Sequence, residues 1–356
     1  MSATAMDEAK LEEFMGLVTG YMIGGSACFG VWLGDELGMY STVARNGPCS
    51  ADQVAADAGT NPRLTREWLD GQAAAGLVDY DADADVYSMS PEGAMVLADE
   101  NAPTFVARGM NAFGSMFRDM EKLKAAFKGD GALAWGDHDS CLFKGTEWFF
   151  RAGYRAFLPG AWIPALDGVE EKLKAGAKVA DVGCGHGASV VVMADAYPSS
   201  QIWGFDYHAP SIDTARQRAA EAGVEARTSF EVAGAKDYPG SYDLICFFDC
   251  LHDMGDPVGV AAYAREHLEP EGTVLLVEPF ALDGRATNQA DNPMAALLYT
   301  ASTAICTPNS LSQEVGLGLG AQAGEDRLRA VFEEAGYSRF GKAAETPLNL
   351  ILEAKP

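Results

Sequence analysis

Residues 178–197 read KVADVGCGHGASVVVMADAY. The run Val179–Val182 is short, apolar and rich in β-branched residues, as a buried strand requires. Three glycines follow at 183, 185 and 187, then a helical pattern over Ala188–Tyr197 that Pro198 ends. Glycine lets a backbone turn tightly and approach a ligand where a Cβ would collide. The helix beyond presents free N–H groups to whatever lies in the turn. Strand, glycine turn and helix together predict a nucleotide-binding crossover.

The pattern repeats downstream. Strands are expected at Gln201–Phe205, Ser229–Val232, Leu244–Phe248 and Thr273–Val277, with helices over Ser211–Ala222 and from Asp256-Pro257 to Leu268. A helix over Glu325–Ala335 and two strands, around Phe340 and at Leu348–Leu352, close the chain. Alternation of this kind predicts a mainly parallel α/β sheet, doubly wound and covered on both faces. The closing strand pair is compatible with one antiparallel strand.

The glycine turn alone leaves the ligand open, because Gly183, Gly185 and Ala188 also satisfy the dinucleotide pattern of a nicotinamide-dependent oxidoreductase. Asp206 follows Gly183 by 23 residues and ends the second strand, placed to accept from two ribose hydroxyls of either nucleotide. Asp181 separates the two: a carboxylate there can hold a cofactor's amino group and gains nothing beside a pyrophosphate. A further motif, Leu251-His252-Asp253-Met254, follows the strand Leu244–Phe248. It falls at the carboxyl edge of the sheet, where α/β folds bind ligands. A neutral imidazole there can take a proton from a phenol, alcohol or thiol.

With these residues in place, 175–356 resembles the class I S-adenosylmethionine-dependent methyltransferases. VADVGCGHG looks like their first motif, and FDYHAPSIDTAR (205–216) is similar to their second. The resemblance implies a seven-stranded Rossmann-like sheet and S-adenosyl-L-methionine as cofactor. It implies that Asp181, Gly183, Gly185 and Gly187 hold the methionine part and Asp206 the ribose, with Tyr207 beside the adenine. Gly234, Ala235 and Lys236 would flank the adenine, and Phe248 and Asp249 would edge the sulfonium. LHDM is similar to the segment that carries the catalytic base of plant O-methyltransferases, with Met254 in place of Trp. That implies methyl transfer to O, S or N of a small-molecule acceptor, with His252 as base or orienter and Glu278 as its partner. The family's second supporting acid falls near Gln322, which carries no charge. The insertion Met294–Leu311 implies a substrate wall, with Tyr299, Ser302 and Asn309 as polar contacts. Tyr154, among the aromatics of 101–170, is a further candidate for an apolar acceptor pocket.

Upstream, apolar spacing predicts two helices over 9–40, then helices Ala51–Ala58 and Arg63–Ala75, and a hairpin from Leu77–Tyr80 to Val86–Met89. Helix, helix, hairpin is a winged-helix layout. Its would-be recognition helix mixes Arg63 and Arg66 with Glu67 and Asp70, and its wing carries Asp81, Asp83 and Asp85. The whole chain has 51 acidic against 26 basic residues, a formal net charge of −25. Such a field repels phosphate backbones and anionic lipid and keeps a protein soluble in salt. Nucleic acid and membrane are therefore not expected as partners, and dimerisation is the expected role of the N-terminal region, as in the resembling branch. A non-catalytic winged-helix sensor of S-adenosylmethionine is the other reading that layout leaves open.

Seven cysteines without CxxC spacing suggest neither a disulfide frame nor a metal site. No uninterrupted apolar run reaches the roughly 20 residues of a membrane span, and the acidic N-terminus is unlike a signal peptide. A cytoplasmic enzyme is expected, with a winged-helix domain over 1–100, a helical linker and cap over 101–170, and a methyltransferase domain over 171–356. Within the cap, Gly129–Ser140 is expected to be an exposed loop able to close over a ligand.

Overall fold

The computed structural model describes residues 6–356. The chain forms two compact units, one from residues up to Gly114 together with Lys144–Ala152, the other from Ser115–Phe143 and Gly153–Pro356.

In the first unit a single helix, Glu8–Glu36, replaces the two expected from the spacing. Asp7 caps it by accepting from the N–H groups of Ala9 (3.1 Å) and Lys10 (3.3 Å). Its interior glycines each cost about 1 kcal/mol relative to alanine, but none forces a turn. Gly30, Val31 and Gly34 are buried, whereas Phe14, Met15, Tyr21, Met22, Ile23 and Phe29 are exposed. The helix is, by length and composition, long and apolar enough to cross a membrane, which the run-length reading missed.

Helices Met39–Asn46, Ala51–Ala58 and Pro62–Ala74 follow. Then comes an antiparallel hairpin of β1 (Asp79–Asp81) and β2 (Val86–Ser88). Tyr40, Val43, Val54, Trp68, Leu69 and Tyr87 form the core of this winged helix. Both arginines of the fourth helix are matched locally, Arg63 by Glu67 and Arg66 by Asp85 of the wing.

The second unit is built on a seven-stranded sheet. Its strands are β3 (Lys178–Val182), β4 (Gln201–Asp206), β5 (Thr228–Val232), β6 (Tyr242–Phe248), β7 (Leu268–Pro279), β8 (Arg339–Glu345) and β9 (Asn349–Lys355). The spatial order is β5-β4-β3-β6-β7-β9-β8. Only β9 runs antiparallel to its neighbours, inserted between β7 and β8. The chain leaves β3 towards β4 and β5, then returns to place β6 on the other side of β3. That reversal opens a crevice at the carboxyl ends of β3 and β6, where ligands of such sheets bind. Val182, Phe205, Ile245, Phe247, Leu276 and Leu352 are buried in the core, with Phe332 of helix Gly324–Glu334 packed among them.

Segment 129–140 is not the exposed loop the sequence suggested. Leu133 N–H donates to the Pro308 carbonyl (3.0 Å) and Trp135 N–H to Asn309 Oδ1 (3.0 Å). His138 is buried against Asp119, Nδ1 to Oδ2 2.9 Å.

The glycine turn separates two kinds of constraint. Gly187 sits at φ 75°, and an added Cβ would lie 2.8 Å from the Phe230 ring and 2.9 Å from Ala215 Cβ. Gly185, at φ 51°, has open space around it. Gly187→Ala is expected to destabilise the cofactor-free protein by about 3 kcal/mol, strain and overpacking together. Gly185→Ala should cost about 1 kcal/mol, from backbone strain alone. Urea unfolding of the two variants measures the difference.

Candidate active site

Backbone hydrogen bonds lay the glycine turn across the end of β4. Gly183 and Cys184 both donate to the Phe205 carbonyl, at 2.8 and 3.0 Å. The Gly185 N–H donates to Asp206 Oδ2 (2.9 Å) and the His208 N–H to Asp206 Oδ1 (2.8 Å). Each oxygen of Asp206 thus takes one backbone bond and keeps acceptor capacity for a hydroxyl. Burial raises its pKa, and the two N–H groups oppose that rise.

Asp181, on β3, has no exposed surface. Its Oδ2 accepts from the Ser189 hydroxyl on the helix after the turn. Its Oδ1 is buried and has no partner among the described residues. Burial pushes this carboxyl up to about 7, with Ser189 opposing and Asp206 adding to the rise. An unpaired carboxylate oxygen in such a place is the complement of a cationic group. It is the opposite of what a pyrophosphate needs.

On the other side of the crevice, Asp249 follows β6 with φ 51°, rare for a residue with a side chain. Its N–H donates to the Val277 carbonyl (2.8 Å), and Asn349 Nδ2 donates to its Oδ1 (2.8 Å). Oδ2 is out of solvent and unpartnered among the described residues. Burial, reinforced by Glu278, holds this carboxyl well above the usual range. The ring of Tyr154 lies 5.3 Å from that of Phe248, and burial, with Asp249 and Asp181 adding, raises its phenol well above 10.

His252 lies in the short helical turn Leu251–Asp253, only 3% exposed. Its Nδ1 is paired with Glu278 Oε2. Glu278 Oε1 accepts from the N–H groups of Leu251 (3.1 Å) and His252 (3.3 Å), so one carboxylate fixes both the turn and the ring. The Cys306 sulfur is close enough to act on the same imidazole. Burial opposes a charge on the ring, but Glu278 and Cys306 outweigh it and hold His252 well above an ordinary imidazole. Burial also pushes the neighbouring Asp253 up to about 7.

The remaining candidates are placed as follows. Tyr207 is about half exposed. Gly234, Ala235 and Lys236 leave β5 beside Asp206, whose carbonyl accepts from Ala233 N–H (3.1 Å). The Lys236 ammonium, however, is engaged by Asp256 (2.7 Å). Ser302 Oγ accepts from Ala321 N–H (3.1 Å), and Asn309 bridges Trp135 N–H and the Asp253 carbonyl (3.1 Å). Both hold the wall together. Tyr299, by contrast, has a buried hydroxyl with no partner among the described residues. Gln322 donates to the Phe280 carbonyl (3.0 Å) and accepts from Asn292 (3.1 Å), so it supports the exit of β7.

The sequence reading did not find Cys306, which a π-helical turn over Ser302–Cys306 carries. Nor did it find the buried His138–Asp119 pair, because neither has a local motif. His267 stacks on Tyr263 at 4.0 Å and is structural.

Comparison with known proteins gives concordant matches. Residues 173–336 match the family described as methyltransferase domain, and residues 25–99 the Rv2258c-like winged HTH domain. The chain is 29% identical over 167 residues to the 27-O-demethylrifamycin SV methyltransferase of Amycolatopsis mediterranei, covering 46% of this chain and 55% of that protein. It is 32% identical over 105 residues to the ubiquinone biosynthesis O-methyltransferase of Thiobacillus denitrificans, covering 28% and 44%. The chain thus spans about half the length of these relatives. Among solved structures, the mitomycin 7-O-methyltransferase aligns with a TM-score of 0.70 at 18% identity, over 98% of this chain and 100% of that one. Human N-acetylserotonin methyltransferase, solved with its cofactor, aligns with a TM-score of 0.68 at 19% identity, over 99% of both chains. At such identities the structural likeness establishes the fold.

A buried carboxyl with a raised pKa loses folding free energy as pH climbs from its unfolded value, about 4, to its folded one. Asp181→Asn is therefore expected to stabilise the cofactor-free protein progressively from about pH 4 to about 7, with a constant gain above. The gap should widen by at most about 1.4 kcal/mol per pH unit within that window. Urea unfolding at pH 5 and pH 8 checks it.

Proposed function

We propose that the protein, whose residues 173–336 match a methyltransferase domain and whose residues 25–99 match a winged-HTH domain, transfers a methyl group from S-adenosylmethionine to the oxygen of a small hydroxylated acceptor. The observation that carries this reading is the buried His252–Glu278 pair beside the crevice that Asp181, Asp206 and Asp249 line.

The residues present fit the cofactor. Asp206 retains acceptor capacity for two ribose hydroxyls, Asp181 offers an unpaired oxygen to an ammonium, and Gly183 and Gly185 keep side chains out of the turn. When bound, the cofactor supplies an electrophilic methyl on a positively charged sulfur. The protein's own part is alignment and exclusion of water, which account for most of such an acceleration. Asp206 fixes the turn, Phe248 and Tyr154 close one side with apolar surface, and His252 receives the acceptor's proton. With Nδ1 held by Glu278, Nε2 is the nitrogen that takes it, and Glu278 stabilises the imidazolium that forms.

Residues 1–100 serve dimerisation in this reading, a second copy covering the apolar face of helix Glu8–Glu36, in a cytoplasmic enzyme. Matched arginines and an acidic wing support that role over DNA binding. Of the expected cap over 101–170, the parts that belong to the second unit, 115–143 and 153–170, contribute the acceptor side, and Tyr299 is the wall residue best placed to offer a free hydroxyl.

Release of S-adenosylhomocysteine across a panel of phenols and alcohols tests the activity. With an acceptor that turns over, His252→Ala should lower kcat by about 10²-fold or more. Because Glu278 raises the His252 pKa, the free base appears only well above pH 6.5, and kcat/KM should rise through that higher value. Glu278→Gln should move the rising limb to lower pH and reduce the plateau. A flat panel, or full turnover by His252→Ala, rejects the acid–base assignment.

A further inference from the structure

The crevice holds more carboxyl groups than hydrogen bonding explains. Asp181 from β3, Asp249 after β6, Asp253 at the end of the His252 turn and Glu278 from β7 meet at the same sheet edge. Asp206 faces Asp181 from β4. Two of these groups have an oxygen that is buried and unpartnered among the described residues, Oδ1 of Asp181 and Oδ2 of Asp249. Cys250, next after Asp249, has its thiol 3.2 Å from the carbonyl of Val182, next after Asp181, so the two carboxyls sit at adjoining strand ends. His252 is paired with Glu278, and the imidazoles of His186 and His208 act on Asp206, whereas, of the described residues, no lysine or arginine is among the groups acting on Asp181, Asp206, Asp249 or Asp253. Asp249 is also held at φ 51°, a conformation that costs about 1–2 kcal/mol and persists where surrounding structure imposes it.

Unpaired buried carboxylates without a cation are costly, and such groups keep their protons until a cation arrives. We propose that cofactor binding at this crevice is a cation-for-proton exchange: Asp181 releases a proton to the ammonium and Asp249 a proton to the sulfonium, so that the positively charged methyl donor is bound more tightly than its neutral-sulfur product. The inference rests on the methyl-transfer reading and deepens it. S-adenosylmethionine carries an ammonium, a carboxylate and a sulfonium, whereas S-adenosylhomocysteine lacks the sulfonium charge. The two ligands differ by one positive charge and a methyl group, so a carboxylate well discriminates them by charge. Once the methyl has left, the protons return and the product is held less firmly. Raised carboxyl pKa values, about 7 for Asp181, put this exchange near neutral pH. For Asp249 the rise comes from burial with Glu278 and Asp253 adding, against His252 and Asn349.

Isothermal titration of the full chain with S-adenosylmethionine and S-adenosylhomocysteine tests this, at pH 6 and 7 in buffers of differing ionisation enthalpy. In that range both ligands' amino groups are mostly protonated, since an α-amino group titrates near about 8. The methyl donor is expected to release at least about half a proton more than the product. Its affinity should rise with pH up to about tenfold per unit per proton released. Asp249→Asn, a residue that tolerates φ 51° without new strain, should cut the proton release and narrow the preference for donor over product. Asp181→Asn, which removes the partner of the ammonium that both nucleosides carry, should cut proton release for donor and product alike and leave the difference between them.

Equal proton release for the two ligands, or none, overturns the exchange. Wild-type release in both variants would assign it to His252 and overturn it equally. Failure of both nucleosides to bind at any pH would instead reject the cofactor, and with it the methyl-transfer reading.

Discussion

Parallel pairing of β3 with β4 on one side and β6 on the other fixes where this protein can do chemistry. Val182 lies level with Phe205, and Asp181 is level with both Gly204 and Cys246. That register brings three strand ends to one edge, and the chain reversal around β3 leaves a gap between them. The gap is then tied shut at its base. The Phe205 carbonyl takes two N–H groups from the glycine turn, while the Asp206 carboxylate takes one from the turn and one from the segment beyond β4. Displacing β4 by one residue would put Phe205 where Asp206 stands and break the three bonds that join the glycine turn to β4.

The pairing of His252 with Glu278 depends on the same frame through β7 and β9. Glu278 is level with Leu350 and Pro279 with Asn349, so the antiparallel strand sets the height of both the carboxylate beneath His252 and the amide that holds Asp249. Asn288, Asn292 and Gln322 then hold the carbonyls of Leu282 and Phe280 where the chain leaves β7. A charged acid at position 322 would give up the N–H donors that those carbonyls require. The glutamine is thus explained by satisfaction of buried backbone groups, and Glu278 is the one carboxylate paired with the imidazole.

What could be read from the chain follows from how local each feature is. The glycine turn, Asp206 and the βα alternation are written in contiguous residues, and the structure has them within a residue or two of expectation. The two-helix reading of 9–40 failed because a helix that is apolar nearly all round has no periodicity to count. Strand β7 begins at Leu268, ahead of the expected Thr273 and through Pro270 and Gly272, because pairing between Tyr242 and Leu268 overrides local preference. Segment 129–140 looked exposed from its Gly and Asp content, yet its bonds run to Pro308 and Asn309, some 175 residues away. The pairing of His138 with Asp119 and the action of Cys306 on His252 are likewise tertiary. No spacing rule reaches that far.

The charge of the chain and the charge of the crevice serve different ends. A net −25 spread over the surface is screened within about 8–10 Å at physiological ionic strength, so it sets solubility and draws cations towards the protein. The buried carboxyls act at short range, in a medium where screening is weak. Their proximity without lysine or arginine makes the empty crevice less stable than it would be with neutral side chains. The deficit is recovered only when a positive charge enters. A site that is strained without its ligand and relaxed with it binds by releasing its own cost, and so can distinguish two nucleosides whose shapes differ by a single methyl group. Shape alone would discriminate by roughly 1–3 kcal/mol. A full charge in a dry crevice adds a term that depends on pH, and that dependence separates an electrostatic filter from a merely tight fit.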